Sequence, residues 1–261
     1  GTNNVTGGNG NDVIILSTGN DTVNSGNGND DITAAAGTND INTGSNNDQV
    51  TLTGGNNDVD TGSGNDTVNV SNGSNDIDTG SGSDQVTLTG GTNDVDTGSD
   101  SDTITLGGVD TVDTGSGNDT VEAGATLTTA DTINGGDGSG DTILSTIALT
   151  DALTARLSNF EVLDIKGGGG ITHDITGLTG LTSLKASGAL TGAVVITDLA
   201  EAAEVDISAA LGNDLTINQI NSAGGSDTLT FDFSGSGYTT GGSIIAANIE
   251  TVTLQTSAGG N

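Results

Sequence analysis

Residues 61–78 read TGSGNDTVNVSNGSNDID, and residues 79–96 read TGSGSDQVTLTGGTNDVD. Residues 43–60, TGSNNDQVTLTGGNNDVD, are a third copy of this eighteen-residue pattern. A nine-residue period runs through and beyond these copies, and it fits neither one helix nor one strand. It is typical of a repeated strand-and-turn unit whose aliphatic residues share one interior. The residues on this period are Val5, Ile14, Val23, Ile32, Ile41, Val50, Val59, Val68, Ile77, Val86, Val95 and Ile104.

Alternate nine-residue units differ in the residue two positions before the aliphatic. One kind has Asp there, with glycine four residues earlier, and the other kind has Asn followed at once by Asp, as in Asn57-Asp58. Glycine allows the positive-φ backbone that turns carbonyl oxygens inward, and Asp adds a carboxylate. Several such oxygens at close range suit a hard cation with flexible coordination, which favours Ca²⁺ over Mg²⁺ or Zn²⁺.

Units such as TGSGNDTVN at residues 61–69 resemble the RTX nonapeptide G-G-x-G-x-D-x-U-x, a Ca²⁺-binding repeat. The resemblance covers residues 1–145 and implies a parallel β-roll with two short strands and two turns per coil. It also implies that several Ca²⁺ ions lie in the turns. The implied metal-binding residues are Gly8, Gly10, Asp12, Asp21, Gly26, Gly28, Asp30, Gly44, Asp48, Gly62, Gly64, Asp66, Gly80, Gly82, Asp84, Gly98, Asp102, Gly115, Gly117 and Asp119.

The repeats depart from this motif in three ways. Thr replaces the first glycine at Thr43, Thr61, Thr79 and Thr97, and Asn46 and Asp100 replace a later glycine. Two interpretations of the Thr column stand: an exposed water-ordering array, or residues that simply suit a strand end. The Asn units lose the ionised ligand, so we expect a hydrogen-bonded Asn ladder there, with a weaker second metal column as the alternative.

Charge supports metal-dependent folding. The chain carries 35 acidic and three basic residues, and 23 of the acids but none of the bases precede residue 145. Stacked coils would bring equivalent Asp residues to about 4.8 Å, where each pair repels by about 0.8 kcal/mol even in water. We therefore expect residues 1–145 to be disordered without Ca²⁺ and to fold on binding it. The same charge excludes nucleic acid as a partner.

Residues 146–261 have a different pattern. Candidate strands at residues 162–165, 184–186, 205–207, 228–233 and 252–254 begin 21 to 24 residues apart, with lesser strands at 194–196 and 215–217. This spacing predicts a larger, irregular β-solenoid, with a β-sandwich as the alternative. Residues 149–157 favour a short helix. The lone His173 is expected to be structural, because no second His and no Cys accompanies it.

The segments GGDGSGDTIL, SNFEVLDI, ITHDITGLTGLTSLKASG and AANIETVTL are similar to bacterial surface-layer proteins that contain RTX repeats. That resemblance implies a non-enzymatic, secreted structural module on the cell surface. It would be exported by type I secretion and would assemble with itself into a two-dimensional lattice on binding Ca²⁺. A cell-surface polysaccharide is a further expected partner, and no membrane insertion is expected. We also expect the chain, which opens on Gly1, to be a fragment of a larger protein.

Two other functions remain open from the sequence. One is a segment of an RTX adhesin that binds ice or glycan. The other is the secretion domain of a secreted enzyme whose catalytic part lies elsewhere. The outward pairs such as Asp58 and Asp60 are expected to form a solvated acidic face, with lattice contacts as the alternative.

Overall fold

The computed structural model describes residues 1–167, 170–200, 203–209, 211–219, 228–234, 242–247, 249 and 251–256. By its internal contacts the chain forms two units, one of residues 1–122 and 126–139, the other of residues 123–125 and 140–261. Nearly all regular structure is β-strand, and every strand pairing described is parallel. No helix in these parts of the chain is both long and apolar enough to cross a membrane.

The first unit winds through short strands that alternate between two sheets. In chain order the strands are β1 (Asn4–Asn9), β2 (Val13–Leu16), β3 (Thr22–Asn27), β4 (Asp31–Ala34), β5 (Thr38–Ser45), β6 (Gln49–Leu52), β7 (Asn56–Asp60), β8 (Thr67–Val70), β9 (Ser74–Asp78), β10 (Gln85–Leu88), β11 (Thr92–Asp96), β12 (Thr103–Thr105), β13 (Val109–Asp113), β14 (Thr120–Ala123) and β15 (Thr132–Asn134). Odd-numbered strands pair with odd-numbered ones and even with even. We call these the odd sheet and the even sheet. Two strands and two turns therefore make one coil.

Register explains the repeat in the sequence. Ile77 pairs with Val59 on one side and with Val95 on the other, so equivalent positions eighteen residues apart lie directly above one another. The series slips by one residue where Val95 pairs with Val112. Except for the half-buried Val5, every residue of the nine-residue series is buried. The prediction that these residues share an interior is confirmed.

The core of each coil is thin. The odd sheet contributes one aliphatic per strand, such as Val59, and the even sheet contributes two, such as Val68 and Val70. Residues between them point outward, and β7, β9 and β11 each alternate exposed and buried along their whole length. So little apolar surface makes the polar columns at the turns important to stability.

The second unit is also a parallel solenoid. Its elements are β16 (Thr142–Ser145), α1 (Asp151–Thr154), β17 (Leu157–Ser158), β18 (Val162–Ile165), β19 (Ile171–Asp174), β20 (Ser183–Ala186), β21 (Val194–Leu199), β22 (Glu204–Ile207), β23 (Leu215–Gln219), β24 (Thr228–Asp232), β25 (Ile244–Ala247) and β26 (Thr251–Gln255). The even-numbered strands β16 to β26 pair in order, as do β19, β21, β23 and β25.

The predicted solenoid is confirmed for this unit, and the β-sandwich alternative is wrong because its described strands pair in parallel with their neighbours one coil away. All seven candidate strands match observed strands to within two or three residues at either end. The helix is shorter than expected, at four residues. Large apolar side chains such as Phe160, Leu163 and Phe231 fill this interior.

Candidate metal centre

One turn of each coil, between an odd and the following even strand, has the backbone that the glycines predict. Gly62 and Gly64 adopt φ values of +88° and +137°, in the region that side chains disfavour. Asn46 and Asp100 replace a glycine of the motif, yet they adopt φ values of +80° and +79°. Asn and Asp tolerate this left-handed conformation better than other residues with side chains. The departures from the motif therefore leave the turn conformation intact.

These turns stack so closely that glycine is required for a second reason. A Cβ on Gly62 would lie 2.3 Å from the carbonyl oxygen of Gly44, and a Cβ on Gly80 would lie 2.2 Å from that of Gly62. Hydrogen bonds connect successive turns; for example, the Ser63 N–H donates to the Gly44 oxygen at 3.1 Å. The turn column is thus lined by main-chain atoms in close register.

The Asp of each such turn belongs to a continuous hydrogen-bonded column, which we call the Asp column. The Oδ1 of Asp66 accepts the backbone N–H of Asp48 at 2.7 Å, and the N–H of Asp66 is donated to Oδ1 of Asp84 at 2.7 Å. Each carboxylate thus satisfies the backbone of the preceding coil. The column comprises Asp12, Asp30, Asp48, Asp66, Asp84, Asp102 and Asp119.

The second oxygen of these carboxylates has no such role. In Asp12, Asp30, Asp48, Asp66, Asp84 and Asp102, Oδ2 is buried and has no hydrogen-bond partner among the described residues. The nearby Thr43 hydroxyl donates instead to the carbonyl oxygen of Thr61 at 3.1 Å. A buried, unpaired carboxylate oxygen is costly unless a cation or a proton accompanies it.

The cost of burying these carboxylates also appears as raised pKa values in the Asp column. Burial raises the pKa of Asp48 and Asp84 to about 6 and that of Asp102 to about 7. The N–H groups that these carboxylates accept lower the pKa by a smaller amount, and neighbouring carboxylates of the column raise it further. No Lys or Arg occurs in the sequence before Arg156 to neutralise the column.

The donor set fits Ca²⁺. These turns combine buried carboxylate Oδ2 atoms that lack a hydrogen-bond partner with closely stacked main-chain carbonyls, and hard oxygen ligands in flexible numbers are what Ca²⁺ prefers. Across the described residues, no three His, Cys, Asp or Glu side chains gather into a metal-binding cluster. A cation in these turns would therefore take one oxygen from each nearby Asp and the remainder from the main chain. The ion would supply positive charge to an otherwise uncompensated column.

The opposite turn of each coil carries a different column, which we call the Asn column. Asn57 Nδ2 donates to Asn75 Oδ1 at 2.7 Å, and Asn75 Nδ2 donates to Asn93 Oδ1 at 2.8 Å. Asn39 begins this run, and Asn93 continues it to Asp110. The amides satisfy one another, so the expected Asn ladder is confirmed.

Asp21 lies in the Asn column rather than in the Asp column. Its backbone N–H donates to Asn39 Oδ1 at 3.2 Å, and its own Oδ1 accepts the backbone N–H of Asn3 at 2.8 Å. The expected metal-binding residues thus divide between the two sides of the coil, with Asp21 alone on the Asn side.

The Thr column has a larger structural role than the sequence predicted. Thr43, Thr61, Thr79 and Thr97 are fully buried, and each hydroxyl donates to the main-chain oxygen of the equivalent Thr, or Thr114, one coil later. The exposed water-ordering array is therefore wrong. The signal was present, because a Thr that recurs every eighteen residues beside a buried Asp has a fixed place in the interior.

His173 is buried in the second unit. Its Nδ1 accepts the backbone N–H of Leu149 at 3.5 Å, and burial lowers its pKa to about 4. The imidazole is neutral and buried, and its hydrogen-bond partner lies 24 residues away in the sequence. It therefore connects two segments of the chain, as expected for a structural residue.

Comparison with known proteins bears on the first unit. Four segments, residues 1–32, 33–68, 51–86 and 104–125, match the model of the RTX calcium-binding nonapeptide repeat. No curated protein and no solved structure matches the chain significantly. Such repeats bind several Ca²⁺ ions per domain, occur in secreted proteins, and form folds that are typically structural rather than catalytic. The first unit of this chain therefore contains RTX calcium-binding nonapeptide repeats, folded as a parallel β-solenoid.

Proposed function

We propose that this chain is a Ca²⁺-dependent structural module of a secreted bacterial surface-layer protein, which folds outside the cell and assembles there with itself. The observation that carries the proposal is the Asp column, with buried Oδ2 atoms and no Lys or Arg in the first unit. Ca²⁺ ions held by Asp12, Asp30, Asp48, Asp66, Asp84, Asp102 and Asp119, together with main-chain oxygens of the turns, would neutralise it.

Electrostatics makes the first unit responsive to the Ca²⁺ concentration. Two carboxylates one strand spacing apart repel by about 3 kcal/mol at an effective dielectric constant near 20. This repulsion recurs at each coil, and the thin core offers little to offset it. Extracellular Ca²⁺ modules typically bind in the range of about 10⁻⁴ to 10⁻³ M. The chain would accordingly stay unfolded at cytosolic Ca²⁺ concentrations, which suits export as an unfolded polypeptide.

The surface-layer assignment draws on the second unit. It has a long solenoid of its own, with its own apolar core, and its sequence resembles surface-layer proteins. We favour a structural role over the secretion domain of an enzyme because a long β-solenoid follows the repeats.

Circular dichroism tests the folding step. In EDTA the first unit should lack strand signal, and millimolar Ca²⁺ should restore it. Asp66→Asn should raise the Ca²⁺ concentration at the midpoint several-fold, because it removes a charged ligand while an amide oxygen can still accept the Asp48 N–H. The matched control Asp58→Asn makes the same change on an exposed residue one strand away and should leave the midpoint unchanged. Strand signal that chelation leaves intact would refute the folding step.

Electron microscopy of the purified protein in Ca²⁺ tests assembly. Ordered sheets are the expected result, and they should disperse on chelation. A protein that folds with Ca²⁺ yet stays monomeric at high concentration would contradict self-assembly and favour the adhesin alternative.

A further inference from the structure

The best copies of the repeat have an uncharged half and an acidic half. The uncharged halves contain an even strand, the turn after it and the start of the next odd strand, and they are residues 49–57, 67–75 and 85–93. The acidic halves complete that odd strand and the turn after it, and they are residues 58–66, 76–84 and 94–102, with three, three and four carboxylates. Because equivalent positions of successive coils lie above one another, the two kinds of half form two continuous strips.

The outward side of the even sheet, which we call the even face, lies in the uncharged strip. Its side chains alternate along each strand with buried aliphatics, as Thr51 does between Val50 and Leu52. Register places equivalent side chains next to each other, since Thr51 pairs with Asn69 and Asn69 with Thr87. The outward side chains of the four central strands, all exposed or half-buried, are Gln49, Thr51, Thr67, Asn69, Gln85, Thr87, Thr103 and Thr105.

The first strand of the even face is apolar. Val13 and Ile15 on β2 point outward and are 72% and 76% exposed, more than any other large apolar side chain among the described residues. The register partner of Ile15 one coil later is Thr33, so the apolar surface is confined to this strand. Covering the two side chains would remove apolar surface from water, which favours association with a partner.

The outward side of the odd sheet has the opposite character. Asp58 pairs with Asp76 and Asp60 with Asp78, so two rows of exposed carboxylates run along it. Burial and the neighbouring carboxylates raise the pKa of Asp58 and Asp78, as expected for anions that already crowd one another. A second copy that approached this side would add like charges, whereas the even face lets two acidic chains meet without opposing carboxylates.

The chemistry of the even face also suits a copy of itself. Hydroxyl and amide side chains both donate and accept hydrogen bonds, whereas carboxylates only accept them. A surface of Thr, Gln and Asn is therefore complementary to an identical surface, which a contact about a twofold axis requires. We propose that two copies of this chain associate through their even faces and cover Val13 and Ile15 in the contact. The proposal rests on the proposed function, because it names the surface used in self-assembly.

The size of the even face sets the expected strength of this contact. From β2 to β12 the face spans six strands. With strands about 4.8 Å apart and about four residues of about 3.3 Å each, it measures about 24 Å by 13 Å. Two such surfaces bury less than the roughly 1,200 Å² typical of stable complexes. The contact should therefore be weak between two free molecules and effective where an array repeats it.

Static light scattering in saturating Ca²⁺, from micromolar to millimolar protein, measures the concentration at which association is half complete. Thr51→Asp/Thr87→Asp places two carboxylates on the even face and should raise this concentration about ten-fold or more, because like charges would then oppose each other. The control Thr111→Asp/Thr132→Asp makes the same change on exposed residues of the odd sheet and should raise it less than about two-fold.

A second variant tests the apolar strand. Val13→Thr/Ile15→Thr installs on β2 the residue type that the following coils carry at Thr33 and Thr51, and it should raise the same concentration several-fold because less apolar surface would be covered. Circular dichroism in saturating Ca²⁺ verifies that each variant folds.

The outcomes separate this proposal from the proposed function. A wild type that does not fold with Ca²⁺, or that folds and stays monomeric, would refute the proposed function and remove the interface with it. A wild type that associates no more strongly than Thr51→Asp/Thr87→Asp would overturn the even-face contact alone. An equal loss in that variant and in its control would do the same, because total charge would then be the cause.

Two further outcomes also decide. If Thr51→Asp/Thr87→Asp fails to fold, unchanged association of Val13→Thr/Ile15→Thr would overturn the contact, and weakened association would support it. A monomeric wild type that binds dextran, with that binding lost in Thr51→Asp/Thr87→Asp, would assign the even face to a neutral polysaccharide instead of a second copy.

Discussion

Removing one amide from the Asn column should destabilise the first unit without affecting its metal sites. Asn75→Ala deletes two hydrogen bonds, the one from Asn57 Nδ2 at 2.7 Å and the one to Asn93 Oδ1 at 2.8 Å. Asn57 Nδ2 keeps a bond to the Gly54 oxygen at 3.3 Å, whereas the buried Asn93 oxygen loses its donor. A buried polar group left unpaired costs about 1–3 kcal/mol, so with the lost second bond the free energy of unfolding should fall by about 2–4 kcal/mol.

Urea unfolding in saturating Ca²⁺, followed by circular dichroism, measures this loss. Asp76→Ala is the matched control, because it alters the next, exposed residue and should change the free energy of unfolding by less than about 0.5 kcal/mol. The number of bound Ca²⁺ ions should be the same in both variants. A loss below about 1 kcal/mol for Asn75→Ala, or the disappearance of a bound ion, would refute the assignment of this column to amide hydrogen bonding.

Three further predictions concern the turns and the titratable groups. Gly62→Ala should lower the free energy of unfolding in urea by at least about 2 kcal/mol, because φ is +88° and the added Cβ would lie 2.3 Å from the Gly44 oxygen. Gly124→Ala is the neutral control, because a Cβ there has no atom within 4 Å. In EDTA the raised pKa values of Asp48, Asp84 and Asp102 mean that the coil takes up protons on folding, so strand signal should increase as the pH falls from about 7 to 5; a decrease would contradict this. The lowered pKa of His173 has the opposite sign, since stability is lost as the pH falls from 6.5 towards 4. The protection of the Leu149 amide, measured against the exchange rate of an unstructured peptide at the same pH, should therefore decrease over that range in the wild type, and this decrease should be absent in His173→Gln.

Most of the fold could be predicted from the repeat period. A buried valine or isoleucine recurs every nine residues, and each coil has two strands, so one coil spans eighteen residues. The pairing of Val59 with Ile77, eighteen residues later, follows this spacing. In the second unit the regular interval was lost, yet the alternation within segments such as residues 162–165 still located the strands. The helix was overestimated because helix formers around Leu149 and Leu157 were weighed by composition, whereas both residues are buried, Leu157 in a strand.

The candidate site was only partly predictable. Glycine and Asp spacing indicated which turn would gather oxygens, but spacing alone placed Asp21 with the other ligands. The eighteen-residue period places Asp21 one coil before Asn39, in the Asn column, so the error came from matching the nine-residue motif without regard to the longer period. The buried role of Thr61 was missed for a similar reason, since its partner is the carbonyl of Thr79 one coil away.

The three side-chain columns of the first unit share a direction. Asp48 N–H bonds to Asp66, the Thr43 hydroxyl to Thr61, and the Asn57 amide to Asn75, and in every case the donor belongs to the earlier coil and the acceptor to the later one. The main-chain bonds between coils run in both directions, but in these three columns a cut between two coils would leave donors on the earlier coil and acceptors on the later one. The columns of two such stacks would match only head to tail, so an end-to-end contact that continued them would have a single orientation.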